Sequence, residues 1–326
     1  MMDLHDGHIR DIGIDWPRLV RIVEETVRTR EAGEYASPLK SYLRFGDPAN
    51  RIIATPAYVG GETALAGIKW VASFPGNLRR DLPRANNTIL LNDPETGRLL
   101  AVLRSNLLNG LRAAAVSGLA LRNYADVRQP EEMRLGIIGW GPIGRLHLEM
   151  AAELLGSRLT KVMLYDLQAI DPASVPEELR ERTEAVPDWR TLYRDSNAIA
   201  TCTVPAERYI DEPPPAGALL LNVSLRDYRP ESVAAVKNVI VDDWREVCRE
   251  NTDIEQLHLR YGLAESDVFT LADLVCGNEA EAIGSADQPV FFNPMGLGIF
   301  DIAIAGHYYR EALRLGAGVV LADGDR

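Results

Sequence analysis

The sequence predicts an α/β protein in which a doubly wound parallel sheet is inserted into a discontinuous α+β domain. Three observations predict it. Between Leu135 and Asp166 a short apolar strand, a glycine-spaced turn, an amphipathic helix and a second apolar strand follow in order. Near-continuous apolar runs recur at 198–204, 218–223 and 239–241, as parallel strands covered on both faces require. Around this block, 39–103 reads as strands and turns, and a helix over about 298–315 is long enough to pack back on it. The expected division is 1–125 plus 303–326 for a substrate-binding and dimerisation domain, with 126–302 inserted.

In chain order, Ile14, Leu19, Ile22, Val23 and Val27 stand at helical spacing and predict a helix over 14–31. The segments 52–54 and 67–71 predict strands. A further pair, 88–91 and 99–103, flanks Asn92-Asp93-Pro94-Glu95-Thr96-Gly97, a cluster of turn formers, and predicts a hairpin. The Ala/Leu-rich stretch 106–124 predicts a helix, and 127–132, with Pro130, a linker. Next comes Gly139-Trp140-Gly141-Pro142-Ile143-Gly144, a G-x-G-x-x-G between strand and helix. Gly139 permits the turn, Gly141 leaves room for a pyrophosphate, and Gly144 lets the helix lie close on the sheet. The free N–H groups at the helix start then face the phosphates. The next strand ends at Asp166, whose carboxylate can accept from both ribose hydroxyls and repels a 2′-phosphate. The inserted block therefore reads as a Rossmann domain for NAD rather than NADP. The expected cofactor-binding residues are Gly139, Gly141, Pro142, Ile143, Gly144 and Asp166, with Thr203, Val204, Ser224, Asn293 and Met295 at the carboxyl ends of later strands.

Bulk properties exclude other classes. The 326 residues are 46% hydrophobic and 25% charged, which is globular composition. A net charge of −12 argues against a nucleic-acid surface. No 18-residue apolar stretch is present, so no membrane span is expected, and the polar residues 1–10 are no signal peptide. Cys202, Cys248 and Cys276 are widely spaced, which suits a reducing cytoplasm, and the five scattered histidines make no metal site.

Three residues stand out as carriers of chemistry. Lys69 interrupts the apolar run Ile68-Lys69-Trp70-Val71 and is either a snorkelling edge residue or a cation facing a cleft. Arg112, nearly alone among alanines, is either solvated or partnered with a carboxylate or phosphate. Asp227 follows an apolar strand and either turns the chain or shuttles a proton.

The chain resembles the ornithine cyclodeaminase/mu-crystallin family. The motifs are Gly67-Ile68-Lys69, Arg112-Ala113-Ala114-Ala115, the 91–97 hairpin, the G-x-G segment and Gly296-Leu297-Gly298-Ile299-Phe300-Asp301. The resemblance runs from about Ser37 to Ala305. Within the family it is most similar to the branch that makes 2,3-diaminopropionate for siderophores and peptide antibiotics. The marks are Pro38-Leu39-Lys40, Tyr42-Leu43-Arg44, Thr201-Cys202-Thr203-Val204, Val241-Asp242-Asp243-Trp244 and Asn293-Pro294-Met295-Gly296. Typical cyclodeaminases have a glutamine in place of Gly144 and a different loop in place of Leu225-Arg226-Asp227-Tyr228-Arg229-Pro230, which counts against ornithine as substrate.

The resemblance implies an NAD-dependent cleavage of a secondary amine joining glutamate to diaminopropionate, in a homodimer. Lys69 and Arg112 would hold the carboxylate at the reacting carbon, Lys40 and Arg44 the others, and Asp227 would move the proton. Cyclodeamination of ornithine, ketimine reduction, alanine-type dehydrogenation and a crystallin-like binding role stand as alternatives.

Overall fold

The computed structural model describes residues 1–47, 49–277 and 279–321. The chain divides into two compact units, Met1–Arg112 with Gly296–Arg326, and Ala113–Met295. The first boundary follows Arg112, within the helix Asn106–Arg128 and earlier than the expected 125, and the second follows Met295, before the helix Gly298–Leu315, where 302 was expected.

The first unit is built on a mixed sheet. Its strands are β1 (Met2–His5), β2 (Tyr35–Ala36), β3 (Ser41–Arg44), β4 (Arg51–Val59), β5 (Leu65–Ser73), β6 (Ala85–Asn92) and β7 (Leu99–Arg104), with β16 (Val319–Val320) at the end. The order is β16-β1-β7-β6-β5-β4-β2, with β3 also paired to β4, and only the β1–β7 pair is parallel. The hairpin between β6 and β7 forms as expected. Asp93 Oδ1 accepts from the N–H groups of Glu95 and Thr96, and Gly97 supplies φ +71°. The helix expected over 14–31 spans Trp16–Glu31, because Asp15 caps it by accepting from the Arg18 N–H at 2.8 Å. One sheet face packs on the helix Gly298–Leu315. A Cβ on Gly298 would press on Thr55 and Ala57, and one on Gly67 would press on Ile302. Leu19, Val23, Leu65, Leu91, Leu103, Ile299 and Ile302 fill the core there.

The second unit is a parallel sheet. Its strands are β8 (Met133–Ile138), β9 (Leu159–Tyr165), β10 (Thr183–Ala185), β11 (Ala198–Thr201), β12 (Leu219–Asn222), β13 (Asn238–Val241), β14 (Phe269–Thr270) and β15 (Val290–Asn293). The order is β10-β9-β8-β11-β12-β15-β13-β14. Every residue of β11, β12, β13 and β15 is buried, which is why these strands read as unbroken apolar runs. From β8 the chain proceeds to one side through β9 and β10, then resumes on the other side at β11. The ends of β8 and β11 thus form the switch point where such sheets bind ligands.

Several elements depart from expectation. The N-terminal residues form β1, held by the parallel ladder to β7 and by Asp3, whose carboxylate takes both Nε and Nη2 of Arg104. The linker begins two residues later than expected, because the helix continues to Arg128, whose guanidinium donates to the carbonyls of Ile283 and Gln288. Thr183–Ala185 has no apolar run and becomes strand only by pairing with β9.

Candidate active site

In the first unit, Lys69 lies on the covered face of β5 and is 3% exposed. It is a buried cation, not a snorkelling edge residue. Its Nζ donates to Asp301 Oδ1 at 2.9 Å and to Asn109 Oδ1 at 2.6 Å. Arg112 Nε donates to the same Asp301 oxygen at 3.0 Å, and its Nη2 lies 3.5 Å from Asn109 Oδ1. The sequence permits this because Asn109 and Arg112 are three apart on one helix and so share a face, while Asp301 lies in the first turn of the helix above the sheet. Gly296, at φ +81°, leaves room for the guanidinium, which any Cβ there would strike.

The electrostatics follow from burial. Loss of water pushes the Lys69 ammonium down to about 8; Asp301 works against this, while the charges of Arg112 and Lys40 add to it. Burial alone would raise the Asp301 carboxyl, but Arg112 and Lys69 outweigh it and hold that carboxyl below its ordinary range. Two cations thus share one carboxylate, and a further cation, Lys40, is near enough to be felt. Arg44 is exposed on β3, with its guanidinium 5.0 Å from the Tyr42 ring centroid.

Asp301 and Asn109 were not among the residues expected to act. The available signal for Asp301 was an acid inside Ile299-Phe300-Asp301-Ile302-Ala303-Ile304, where every neighbour is apolar. Asn109 carries no comparable signal.

In the second unit the fingerprint has the form a dinucleotide needs. Gly139, at φ +98°, passes so close to the Cys202 backbone that no Cβ fits, and a Cβ on Gly144 would strike the Gly139 carbonyl. Gly141 has open space where its Cβ would stand. It also precedes the helix Pro142–Leu155 without offering a side-chain cap, so the N–H groups there face outward for an anion. Asp166 Oδ2 accepts from the Trp140 N–H at 2.7 Å and Oδ1 from the Gln168 N–H at 2.9 Å. Each oxygen keeps a lone pair for a ribose hydroxyl. These residues fit a dinucleotide. Val204 is 67% exposed beyond β11, so its side chain is available to a ligand.

Asp227 is fully buried. Its Oδ1 accepts from the Thr203 and Tyr209 hydroxyls, and its Oδ2 has no hydrogen-bond partner. Burial raises its pKa, and the hydrogen bonds from Thr203 and Tyr209 only partly offset that. Ser224 Oγ is likewise buried without a partner.

Asn293 stands at the carboxyl end of β15, where a cofactor-binding residue was expected. Its side-chain amide is occupied inward, with Oδ1 accepting from Asn222 Nδ2 at 2.7 Å and Nδ2 donating to the Phe291 carbonyl. Met295 presents its backbone N–H to Asp242 Oδ1 at 3.0 Å. Asn222 also donates to Asp253 Oδ2 at 2.9 Å, and Asp253 receives Arg208 Nε at 2.6 Å and the Tyr228 N–H at 3.3 Å. Burial lifts the Asp253 carboxyl to about 6. Asn222, Asp253 and Asn293 therefore tie the strand ends to the loops that hold Asp227 and Tyr209.

Residues 11–315 match the ornithine cyclodeaminase/mu-crystallin family. The chain belongs to this family. This cyclodeaminase-family protein is 32% identical over 314 residues to N-((2S)-2-amino-2-carboxyethyl)-L-glutamate dehydrogenase of Staphylococcus aureus, covering 93% of this chain and 92% of that one. Among solved structures, Thermococcus litoralis Δ1-pyrroline-2-carboxylate reductase with NADH and L-proline superimposes with a TM-score of 0.83 at 23% identity, over 98% of this chain and 100% of that one. An archaeal alanine dehydrogenase dimer with bound NAD gives 0.82 at 23% identity, over 98% of each chain. Family membership together with the intact fingerprint makes this cyclodeaminase-family protein an NAD-dependent oxidoreductase. Among the described residues no helix is long and apolar enough to cross a membrane.

The role given to Asp166 has a direct test. Asp166→Ala weakens NAD⁺ binding roughly tenfold, the loss expected for charge-assisted hydrogen bonds to a ribose, and narrows the preference over NADP⁺. Titration of both dinucleotides against the variant checks it. An unchanged preference assigns ribose recognition to another group.

Proposed function

We propose that the protein cleaves N-(2-amino-2-carboxyethyl)-L-glutamate, consuming NAD⁺ and water and releasing 2,3-diaminopropionate, 2-oxoglutarate, NADH and a proton. The observation that carries this reading is the buried group of Lys69, Arg112 and Asp301, two cations on one carboxylate. Such a group has a positive charge to spare and is suited to a substrate carboxylate. The 32% identity to the Staphylococcus aureus dehydrogenase, along nearly the whole of both chains, supports the choice of substrate.

When bound, NAD⁺ supplies the hydride acceptor at the glutamate Cα. Gly139, Gly141, Pro142, Ile143, Gly144 and Asp166 would hold it, with Thr203, Val204, Ser224 and the Met295 segment at the neighbouring strand ends. Lys69 and Arg112 hold the carboxylate next to the reacting carbon. Lys40 and Arg44 serve the remaining carboxylates. Oxidation leaves an imine, water adds to its carbon, and the carbon–nitrogen bond breaks with the amine as leaving group. Asp227 takes the proton from water or from the amine. Its raised pKa makes it a stronger base than an ordinary carboxylate, and the Thr203 and Tyr209 hydroxyls fix one of its oxygens. The protein works in the cytoplasm as a homodimer, paired through the sheet face of the first unit that carries Tyr58 and Trp70, both partly exposed there.

The test is to incubate the purified chain with NAD⁺ and the glutamate–diaminopropionate conjugate. NADH absorbance rises, with 2-oxoglutarate formed in equal amount. No rise, in protein shown to bind NAD⁺, overturns the proposal.

A further inference from the structure

Asn109, near the start of the helix Asn106–Arg128, joins the group of Lys69, Arg112 and Asp301 without bringing a charge of its own. Its Oδ1 accepts from Lys69 Nζ at 2.6 Å and stands 3.5 Å from Arg112 Nη2. Both neighbours carry donors only, so the amide oxygen is the atom that must face them. The reverse orientation would set an N–H2 group against an ammonium. The carboxamide is thereby fixed, with Nδ2 as its other end. Among the described residues Nδ2 has no acceptor.

Other donors of the group are unspent as well. Lys69 uses two of its three N–H bonds, on Asp301 and Asn109. Arg112 bonds through Nε and Nη2, and its Nη1 has no partner among the described residues. The side chains of Lys69 and Asp301 are 4% and 2% exposed and that of Arg112 13%, while Asn109 is half-buried. Arg112 and Asn109 therefore form the open edge of the group. The charge points the same way. A carboxylate at 109 would bring the group to neutrality, two cations against two anions. The carboxamide gives Lys69 its acceptor and leaves one positive charge over. Free donors around a net positive charge suit an anion, and a carboxylate has two oxygens to share among them.

We propose that Asn109 is a substrate-binding residue whose Nδ2 donates to the same carboxylate that Lys69 and Arg112 hold. One side chain then does two things, accepting from the ammonium at Oδ1 and donating to the substrate at Nδ2. It thereby sets the substrate carboxylate in a fixed place relative to Lys69. The inference rests on the preceding reading for the presence of that carboxylate.

Calorimetric titration of the full chain saturated with NADH tests it, with 2-oxoglutarate as the probe. The titration is run at about pH 6.5, below the point near 8 where Lys69 loses its proton. The wild type binds the probe, and Asn109→Ala binds it about tenfold more weakly, the size of one hydrogen bond to a charged group. Asn109→Asp keeps an acceptor for Lys69 but has no donor. It binds at least as weakly as Asn109→Ala, while its thermal midpoint stays at or above that of the wild type. Wild-type affinity in Asn109→Asp would mean that only the acceptor matters, and overturns the contact. So does wild-type affinity in Asn109→Ala, which leaves any loss in Asn109→Asp to repulsion alone, and so does absence of binding by the wild type. Turnover separates the two proposals. If the conjugate yields no NADH yet 2-oxoglutarate binding depends on Asn109 as stated, the reaction falls and the contact remains. If NADH forms and the KM for the conjugate is unchanged in Asn109→Ala, the contact falls and the reaction remains.

Discussion

Lys69→Ala abolishes turnover, by about 1,000-fold or more, while NAD⁺ affinity stays near the wild-type value. The magnitude follows from two losses. The substrate carboxylate forfeits a charge-assisted hydrogen bond in a buried setting, and the reacting carbon loses the group that positions it. NAD⁺ binding is spared because the fingerprint belongs to the other unit. The fold tolerates the change, since Asp301 keeps Arg112 as its partner at 3.0 Å. NADH formation by the variant, with dinucleotide titration alongside, checks the prediction. Turnover at the wild-type rate removes Lys69 from the mechanism.

Asp301→Asn has the second large effect, on both stability and pH dependence. Removing the only carboxylate bonded to Lys69 and Arg112 among the described residues leaves a buried ammonium and a largely buried guanidinium facing each other. The expected loss is about 3–5 kcal/mol, as for breaking a buried ion pair by deleting one partner. Urea unfolding followed by circular dichroism measures it.

The pH effect has a definite sign. The Lys69 pKa is already depressed from 10.5 to about 8, and Asp301 is the influence holding it up. Without Asp301 it falls further. Activity that needs the charged ammonium fades through about pH 8 in the wild type and at a lower pH in the variant. A variant whose activity fades at the wild-type pH would show that Asp301 does not keep Lys69 charged. In the wild type the folded state binds the Lys69 proton more weakly than the unfolded chain. Lys69 therefore opposes folding at neutral pH, and this penalty is relieved as pH rises from about 8 towards 10.5.

The parallel unit was legible because strands buried on both faces must be apolar throughout, and a glycine turn between strand and helix has few other uses. The helix Gly298–Leu315 was read to its ends, since Gly316 stops it in the left-handed conformation. The strands β1, β10, β14 and β16 were not legible. They are two to four residues long and exist through pairing with a neighbour, which composition does not record. At the site, Lys69 and Arg112 stood out as charges in apolar surroundings. Their shared partner did not, because Asp301 is 232 residues from Lys69 and 189 from Arg112.

Asp253 acts as a keystone. One carboxylate receives the end of β12 through Asn222, the loop of Tyr209 through Arg208 and the segment of Asp227 through the Tyr228 N–H. Its pKa of about 6 means that mild acid neutralises the keystone and slackens its grip on Arg208, while proton uptake by the folded state favours folding between about pH 6 and 4. The sheet then stays intact under conditions that unlatch the loops beside it.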